Sequence, residues 1–303
     1  MSNATNKLAV CTTIYPGVER YLNEWYASIL TQTDVDFDLW IGLDSLHPVD
    51  VEAAVGSAVE ADWMQAAVGS TPADVRQQTL AHVVERYAAV VFVDADDVLL
   101  ESRVEAARAQ LEHADVGGCG MRLVQEDGSD LGVSFAVPLG VRVPELLPRL
   151  NAFGLSNSAY RTDVLASCLP IPTGTAIVDW YLSTRAWLAG ATFHFDQAAR
   201  MLYRQHSVAA CQLIPPFTHE QVITATRTVI AHYESLLRLP ERTLEPRWDR
   251  LAHELARAKH FRVQIEDDQR LALYVEGLNK LEASHVWWAC VAHPDLEDIW
   301  DSN

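Results

Sequence analysis

Three carboxylates within four positions, Asp94, Asp96 and Asp97, stand where a run of apolar residues, Ala89-Val90-Val91-Phe92-Val93, gives out. In extended chain, residues two apart point the same way, so Asp94 and Asp96 could hold one hard cation between them. Mg²⁺ and Mn²⁺ favour carboxylate oxygens and keep open positions for substrate phosphates. The same residues also read as a solvated turn in which Asp97 or Ser102 caps the helix that follows. Arg76 falls in the first turn of a helix opened by Pro72, where its fork of donors suits a diphosphate. Its plainer alternative is a surface pair with Asp74.

The elements that must position these groups follow from apolar periodicity. Residues 7–14, 37–43 and 89–93 are strand-like, and helical spacing covers 18–31, 49–59, 72–87 and 101–112. Strands alternating with helices predict an α/β domain built on a largely parallel sheet. Open sheets of this kind bind ligands at the carboxyl ends of their strands. Thr12, Asp44 and the Asp94 cluster occupy three such ends, so they could face one crevice. Farther on, 116–137 predicts shorter strands, 146–153 and 178–188 helices, and 192–203 one or two strands. Beyond Pro215-Pro216 the composition becomes helical, over 217–238, 244–261 and 268–281. The expected division is therefore 1–215 and 216–303.

Composition removes several function classes. With 41 acidic against 23 basic residues the formal charge is −18, a field that repels nucleic acid and anionic lipid. An anionic small substrate would need a cation or local arginines. No apolar run approaches the ~20 residues of a membrane span, and residues 1–6 lack the basic start and apolar core of a signal peptide. Five cysteines without CxxC spacing argue against a zinc site or disulfide framework, so a reducing cytoplasm is the expected location. Lys7, Lys259 and Lys280 are the only lysines, and neither a P-loop nor GxGxxG occurs.

The order of these features resembles the inverting family-2 glycosyltransferases on the glycosyltransferase-A fold, over about residues 7–210. The apolar strand with Asp94-Ala95-Asp96-Asp97-Val98 carries the resemblance, matching the family's DxD element. The match implies a mixed, mostly parallel Rossmann-like sheet with flanking helices, plus a C-terminal helical extension. It implies Asp96 as metal ligand, with Asp94 near the ribose or metal and Mn²⁺ or Mg²⁺ as cofactor. Asp44 matches the acid that holds the nucleotide base, and Arg76 the arginine that touches the nucleotide. Asp179 in Ile177-Val178-Asp179-Trp180 matches the catalytic base by position. A helix N-terminus favours the ionised form that a base needs, although an acid there is also an ordinary cap. Tyr203-Arg204-Gln205-His206 resembles the ending at which a His completes the metal site. The sequence departs from the family pattern at Leu43-Asp44-Ser45-Leu46-His47-Pro48, at Val75-Arg76-Gln77, and at Val178 in place of Glu.

The expected function is transfer of a sugar from a nucleoside-diphosphate sugar to an acceptor hydroxyl, with inversion implied by the resemblance. The acceptor and the sugar are not specified by the sequence. One alternative is a nucleotide-sugar-binding protein without turnover. Another is a haloacid-dehalogenase-type phosphatase, because Asp94-Ala95-Asp96-Asp97-Val98-Leu99 also fits D-x-D-x-V-L; there Asp94 would be the nucleophile. That motif normally opens the first strand and needs a downstream lysine or arginine. His194 and Asp196 read as structural. Trp287, Trp288 and Val291 make the tail too apolar for a linker, so it should pack on the catalytic domain or close a homo-oligomer.

Overall fold

The computed structural model describes residues 5–138, 140–205, 213–240, 245–281 and 286–301. The chain begins β1 (Thr5–Ile14), α1 (Leu22–Leu30), β2 (Phe37–Leu43), α2 (Pro48–Val55), β3 (Asp62–Gln65), α3 (Pro72–Val83), β4 (Tyr87–Phe92). It continues β5 (Val98–Leu99), α4 (Arg103–Leu111), β6 (Val116–Val124), β7 (Asp130–Phe135), α5 (Val143–Leu146), β8 (Ser158–Arg161), α6 (Thr162–Cys168), α7 (Val178–Leu188), β9 (Phe193–Arg204). Then follow α8 (His219–Leu237), α9 (Glu245–Gln264), α10 (Asp268–Leu278) and α11 (Glu297–Trp300). Two compact units result: Met1–Ala136 with Phe153–Arg204, and Val137–Ala152 with Gln205–Asn303.

The first unit is a mixed sheet in the order β3-β2-β1-β4-β8-β6-β9-β5, with β7 paired to β6. β3, β2, β1 and β4 run parallel. The chain winds outward from β1 to β3, and α3 then carries it back across to β4 on the other side of β1. That reversal leaves a crevice at the carboxyl ends of β1 and β4, where such sheets take their ligands. Both strands are apolar on both faces because helices cover both faces: Ala9, Val10, Val90 and Val91 are fully enclosed. The remaining strands are tied in by antiparallel β4–β8, β8–β6 and β9–β5 pairs and a parallel β6–β9 pair.

α3 starts sharply for reasons visible in its sequence. Thr71 Oγ1 accepts the Asp74 N–H (3.2 Å) and the Asp74 carboxylate accepts the Thr71 N–H (2.9 Å), with Pro72 in the first turn. The helix lies directly on β2 at Gly42, where an added Cβ would collide with Thr79 Oγ1. A glycine is required there by close approach rather than by backbone angle.

In the second unit, α8 begins with a capping box between Thr218 and Gln221. Phe261 packs on Tyr274 (ring centroids 4.8 Å apart) and edge-on against Trp300 (5.5 Å). The Trp287 N–H donates to the Asn151 carbonyl (3.0 Å). Trp287, Trp288 and Val291 are all buried, so the apolar tail is consumed within the chain. No helix among the described residues is long and apolar enough to cross a membrane.

Some expected boundaries need correction. The helix expected over 146–153 is instead the single turn α5, ending at Leu146; Pro148 and the bridge between Asn151 and Trp287 take the following residues out of helix. The helix expected over 49–59 stops at Val55, where Gly56 takes φ 82° as a left-handed cap.

Candidate functional site at the β1–β4 crevice

The acidic segment is a turn, not extended chain. The Asp97 N–H donates to the Asp94 carbonyl (3.1 Å), so Asp94 and Asp96 do not alternate on one strand face as expected. Nor does Asp97 or Ser102 cap α4: the Ser102 side chain makes no capping bond, and Ser102 Oγ instead accepts from Arg200 Nη1 (2.8 Å). Asp97 is 1% exposed and accepts from two directions, the Arg204 N–H (2.9 Å) and the Ser156 hydroxyl (2.5 Å). Ser156 Oγ in turn accepts the Asp94 N–H (2.9 Å). One hydroxyl therefore fixes both the first and the last carboxylate-bearing residue of the turn.

Arg204, 3% exposed, clamps the other side. Its Nε donates to the Asp96 carbonyl (2.8 Å), Nη1 to the Glu126 carbonyl (2.9 Å), and Nη2 meets Glu24 (2.6 Å). Its guanidinium also lies 4.8 Å from the centre of the Tyr21 ring. With Asp97 turned inward, Asp94 and Asp96 remain half-buried at the crevice. Burial and the neighbouring Asp96 and Asp94 charges push the Asp97 carboxyl well above the ordinary range. Burial also raises Asp94, against the pull of Arg76.

An open cleft is lined by Thr12, Thr13, Arg76, Phe92, Asp94 and Leu155 among others. Arg76 turns away from Asp74, which is occupied in capping α3, and reaches Asp94 (Nη2 to Oδ1, 3.4 Å). Thr12 Oγ1 is buried with no hydrogen-bond partner among the described residues, an unsatisfied hydroxyl in the cleft wall. Tyr15, partly exposed on the loop after β1, lies in the field of Asp96 and Asp94; its partial desolvation and those charges raise its phenol. Asp44 follows β2, its N–H donating to the Ile14 carbonyl (2.9 Å) while Oδ1 accepts from Ser45 (2.9 Å). It is at the expected strand end but is not among the cleft-lining residues. His206 lies outside the described residues.

Asp179 sits in the first turn of α7 as expected, and its charge interacts with Asp94 and Arg76. The dipole argument alone is insufficient here. Burial outweighs the Trp180 N–H and pushes the carboxyl up to about 6. His194 and Asp196 are structural: Gln110 meets His194 Nδ1 (3.1 Å) and Arg200 pairs with Asp196 (2.8 Å).

No three His, Cys, Asp or Glu side chains among the described residues gather into a ready metal site. The turn offers instead two half-buried carboxylates, hard oxygen donors that fit a divalent cation whose remaining ligands come from substrate and water. Sequence reasoning missed Ser156 and assigned no role to Arg204. Ser156 stands 62 residues from Asp94 in the chain, so no local spacing signals it.

No protein-family model matches the sequence, and no curated protein matches it. Solved structures do. TarS from S. aureus (residues 1–349) in complex with UDP-GlcNAc is 17% identical, with a TM-score of 0.57 over 90% of this chain and 80% of that one. The mannosyltransferase PcManGT from Pyrobaculum calidifontis, in complex with GDP-Man and Mn²⁺, is 13% identical, with a TM-score of 0.57 over 98% of this chain and 88% of that one. At such identities the likeness is one of architecture, and on that ground the chain has a glycosyltransferase fold.

Proposed function

We propose that the chain transfers a sugar from a nucleoside-diphosphate sugar to an acceptor hydroxyl, with a divalent cation and with inversion at the anomeric carbon. One observation carries the reading. The crevice at the β1–β4 switch point gathers the buried Thr12 hydroxyl, without a partner among the described residues, a guanidinium and an acidic turn, and Arg76 and Asp94 lie in the field of Asp179, a carboxyl with proton affinity near neutrality. The fold is one in which a mannosyltransferase binds GDP-Man with Mn²⁺.

In this reading Asp96, with Asp94, would hold Mn²⁺ or Mg²⁺; His206 joins them only through the sequence resemblance. A cation there would offset the charge of the diphosphate. Arg76 donates to diphosphate oxygens, its long contact with Asp94 yielding to a better acceptor. Thr12 Oγ1 gains the partner it lacks by bonding the donor, and Asp44 orients the base. Asp179 takes the proton of the acceptor hydroxyl as its oxygen attacks the anomeric carbon, and the nucleoside diphosphate leaves from the opposite face. With a pKa of about 6, roughly nine in ten Asp179 carboxyls are ionised at pH 7. The catalytic unit is proposed as 1–215 and the helical extension as 216–303.

Nucleoside-diphosphate release from UDP- and GDP-sugars, measured with Mn²⁺ and with chelator, tests the reading. Asp96→Ala should lose metal-dependent donor binding, and Asp179→Asn should lose turnover while still binding donor. Binding without release by the unaltered chain would favour the non-catalytic alternative; neither binding nor release would end the proposal.

A further inference from the structure

Residues 169–177 join α6 to α7 without helix or strand, as their composition dictates. Pro170 and Pro172 carry no N–H, and the residue before each is pushed toward extended chain. Ile171, between the two, therefore holds the only backbone N–H of residues 170–172. It is also buried, at 3% exposure, where an N–H left unbonded costs as much as a lost hydrogen bond. Its partner comes from 94 residues away: the Ile171 N–H donates to Gln77 Oε1 on α3 (2.7 Å). A second tie lies beside it, since Thr173 Oγ1 donates to Asp74 Oδ1 (2.9 Å).

Asp74 and Gln77 are three apart and so share a face of α3. Arg76, about 100° round the helix from Gln77, turns instead to Asp94 and the cleft. One helix thus presents an arginine to the crevice and an amide to the segment that leads into α7. That segment is fixed in turn to the helix it feeds. Tyr181 Oη donates to the Pro170 carbonyl (3.3 Å), Thr175 Oγ1 closes a turn on the Pro172 carbonyl (2.7 Å), and Ile177 is buried just before α7 begins. Asp179 follows in the first turn, its charge interacting with Asp94 and Arg76.

We propose that Gln77 is a positioning residue: through the Ile171 N–H it sets how far the Asp179 carboxyl stands from a donor held by Arg76. The proposal rests on the crevice reading for the roles of both charged groups. Gln77 is not among the cleft-lining residues, so it bears on the chemistry only through the segment it holds. A reacting group misplaced by about 1 Å can lose about a hundredfold in rate, whereas the proposed donor contacts, Arg76, Thr12 and the acidic turn, do not pass through this bond.

Gln77→Met keeps the length of the side chain but offers the N–H no oxygen; Gln77→Glu keeps both. In Gln77→Met, kcat for nucleoside-diphosphate release from UDP- and GDP-sugars, with water as acceptor, should fall by about 10- to 100-fold, while the dissociation constants of UDP and GDP with Mn²⁺ change by no more than about twofold. Gln77→Glu should recover most of the rate, and hydrogen exchange in peptides spanning 169–177 should quicken in Gln77→Met but not in Gln77→Glu. Should Gln77→Met fail to fold, Gln77→Ala serves the same comparison. An unaltered chain that releases no diphosphate would end the crevice reading and this proposal with it. Release at the wild-type rate in Gln77→Met, unchanged exchange, no recovery in Gln77→Glu, or a loss of UDP or GDP affinity as large as the loss of rate would overturn the proposal alone.

Discussion

A carboxyl in the first turn of α7 meets two opposed fields. The helix N-terminus and the Trp180 N–H favour its charge; burial and the nearby Asp94 disfavour it, and prevail, setting Asp179 at about 6. The folded value lies above the ordinary 3.8, so its contribution to stability is fully present below about pH 4 and is lost as pH rises through 6. Replacing it with Asn removes that loss. Asp179→Asn should therefore be more stable than wild type at pH 7.5, by at most about 3 kcal/mol and less to the degree that solvent reaches the group. The difference should shrink toward pH 4 in paired urea titrations. On the proposed function, turnover by the unaltered chain should fall below pH 6 with a slope of one proton, and a rate flat from pH 5 to 8 would remove Asp179 as base. Ser156 makes a complementary case, since its hydroxyl accepts from the Asp94 N–H and donates to buried Asp97. Ser156→Ala strands both, at about 1–3 kcal/mol of stability, and should weaken metal-dependent nucleotide binding by calorimetry. Ser156→Thr, which keeps the hydroxyl, should recover most of that affinity.

At the scale of elements, the crevice depends on how α3 rests on β2. Gly42 leaves the space that Thr79 fills, and Arg76 lies one turn earlier on the same helix. Gly42→Ala should push α3 outward, destabilise the chain by about 1–3 kcal/mol, and reduce nucleotide affinity without touching a ligand. Equal nucleotide dissociation constants in the two proteins would disconnect the helix position from the site. The elements legible in the sequence are those whose residues face one way for long enough. β1, β2 and β4 each carry an apolar run, and α7 is legible to its ends because its buried residues nearly encircle it. β3 is not legible in the sequence, because only Met64 of its four residues is buried, which is too little pattern to register. The seven-residue α6 is too short to show a helical period. Of the candidate site, the contributions made along one stretch of chain were readable: the acidic cluster, the helix-opening arginine and the acid of α7. Ser156, in the turn before β8, and Arg204, the last residue of β9, reach the acidic turn from far along the chain, so only the folded sheet reveals that Asp97 faces inward.

Across the whole molecule, the charge of −18 bears on how the proposed anionic donor would arrive. A protein that attracts its ligand by long-range charge loses association rate as salt is added. Here the far field has the opposite sign, while the attractive groups, Arg76 and the Thr12 hydroxyl, act only at contact. The Debye length shortens from about 30 Å at 0.01 M salt to about 8 Å at 0.15 M, which screens the distant carboxylates more than the contacts at the crevice. The association rate of a fluorescent nucleoside diphosphate should therefore rise between those salt concentrations, by about two- to tenfold, with little change in its dissociation rate. With Mn²⁺ present the salt effect should shrink, because the cation cancels part of the repulsion that the diphosphate meets. Stopped-flow measurements at fixed free metal would show this directly. A rate that fell with salt, as for a steered anion, would mean that local arginines dominate the approach and that the acidic surface lies out of the donor's path.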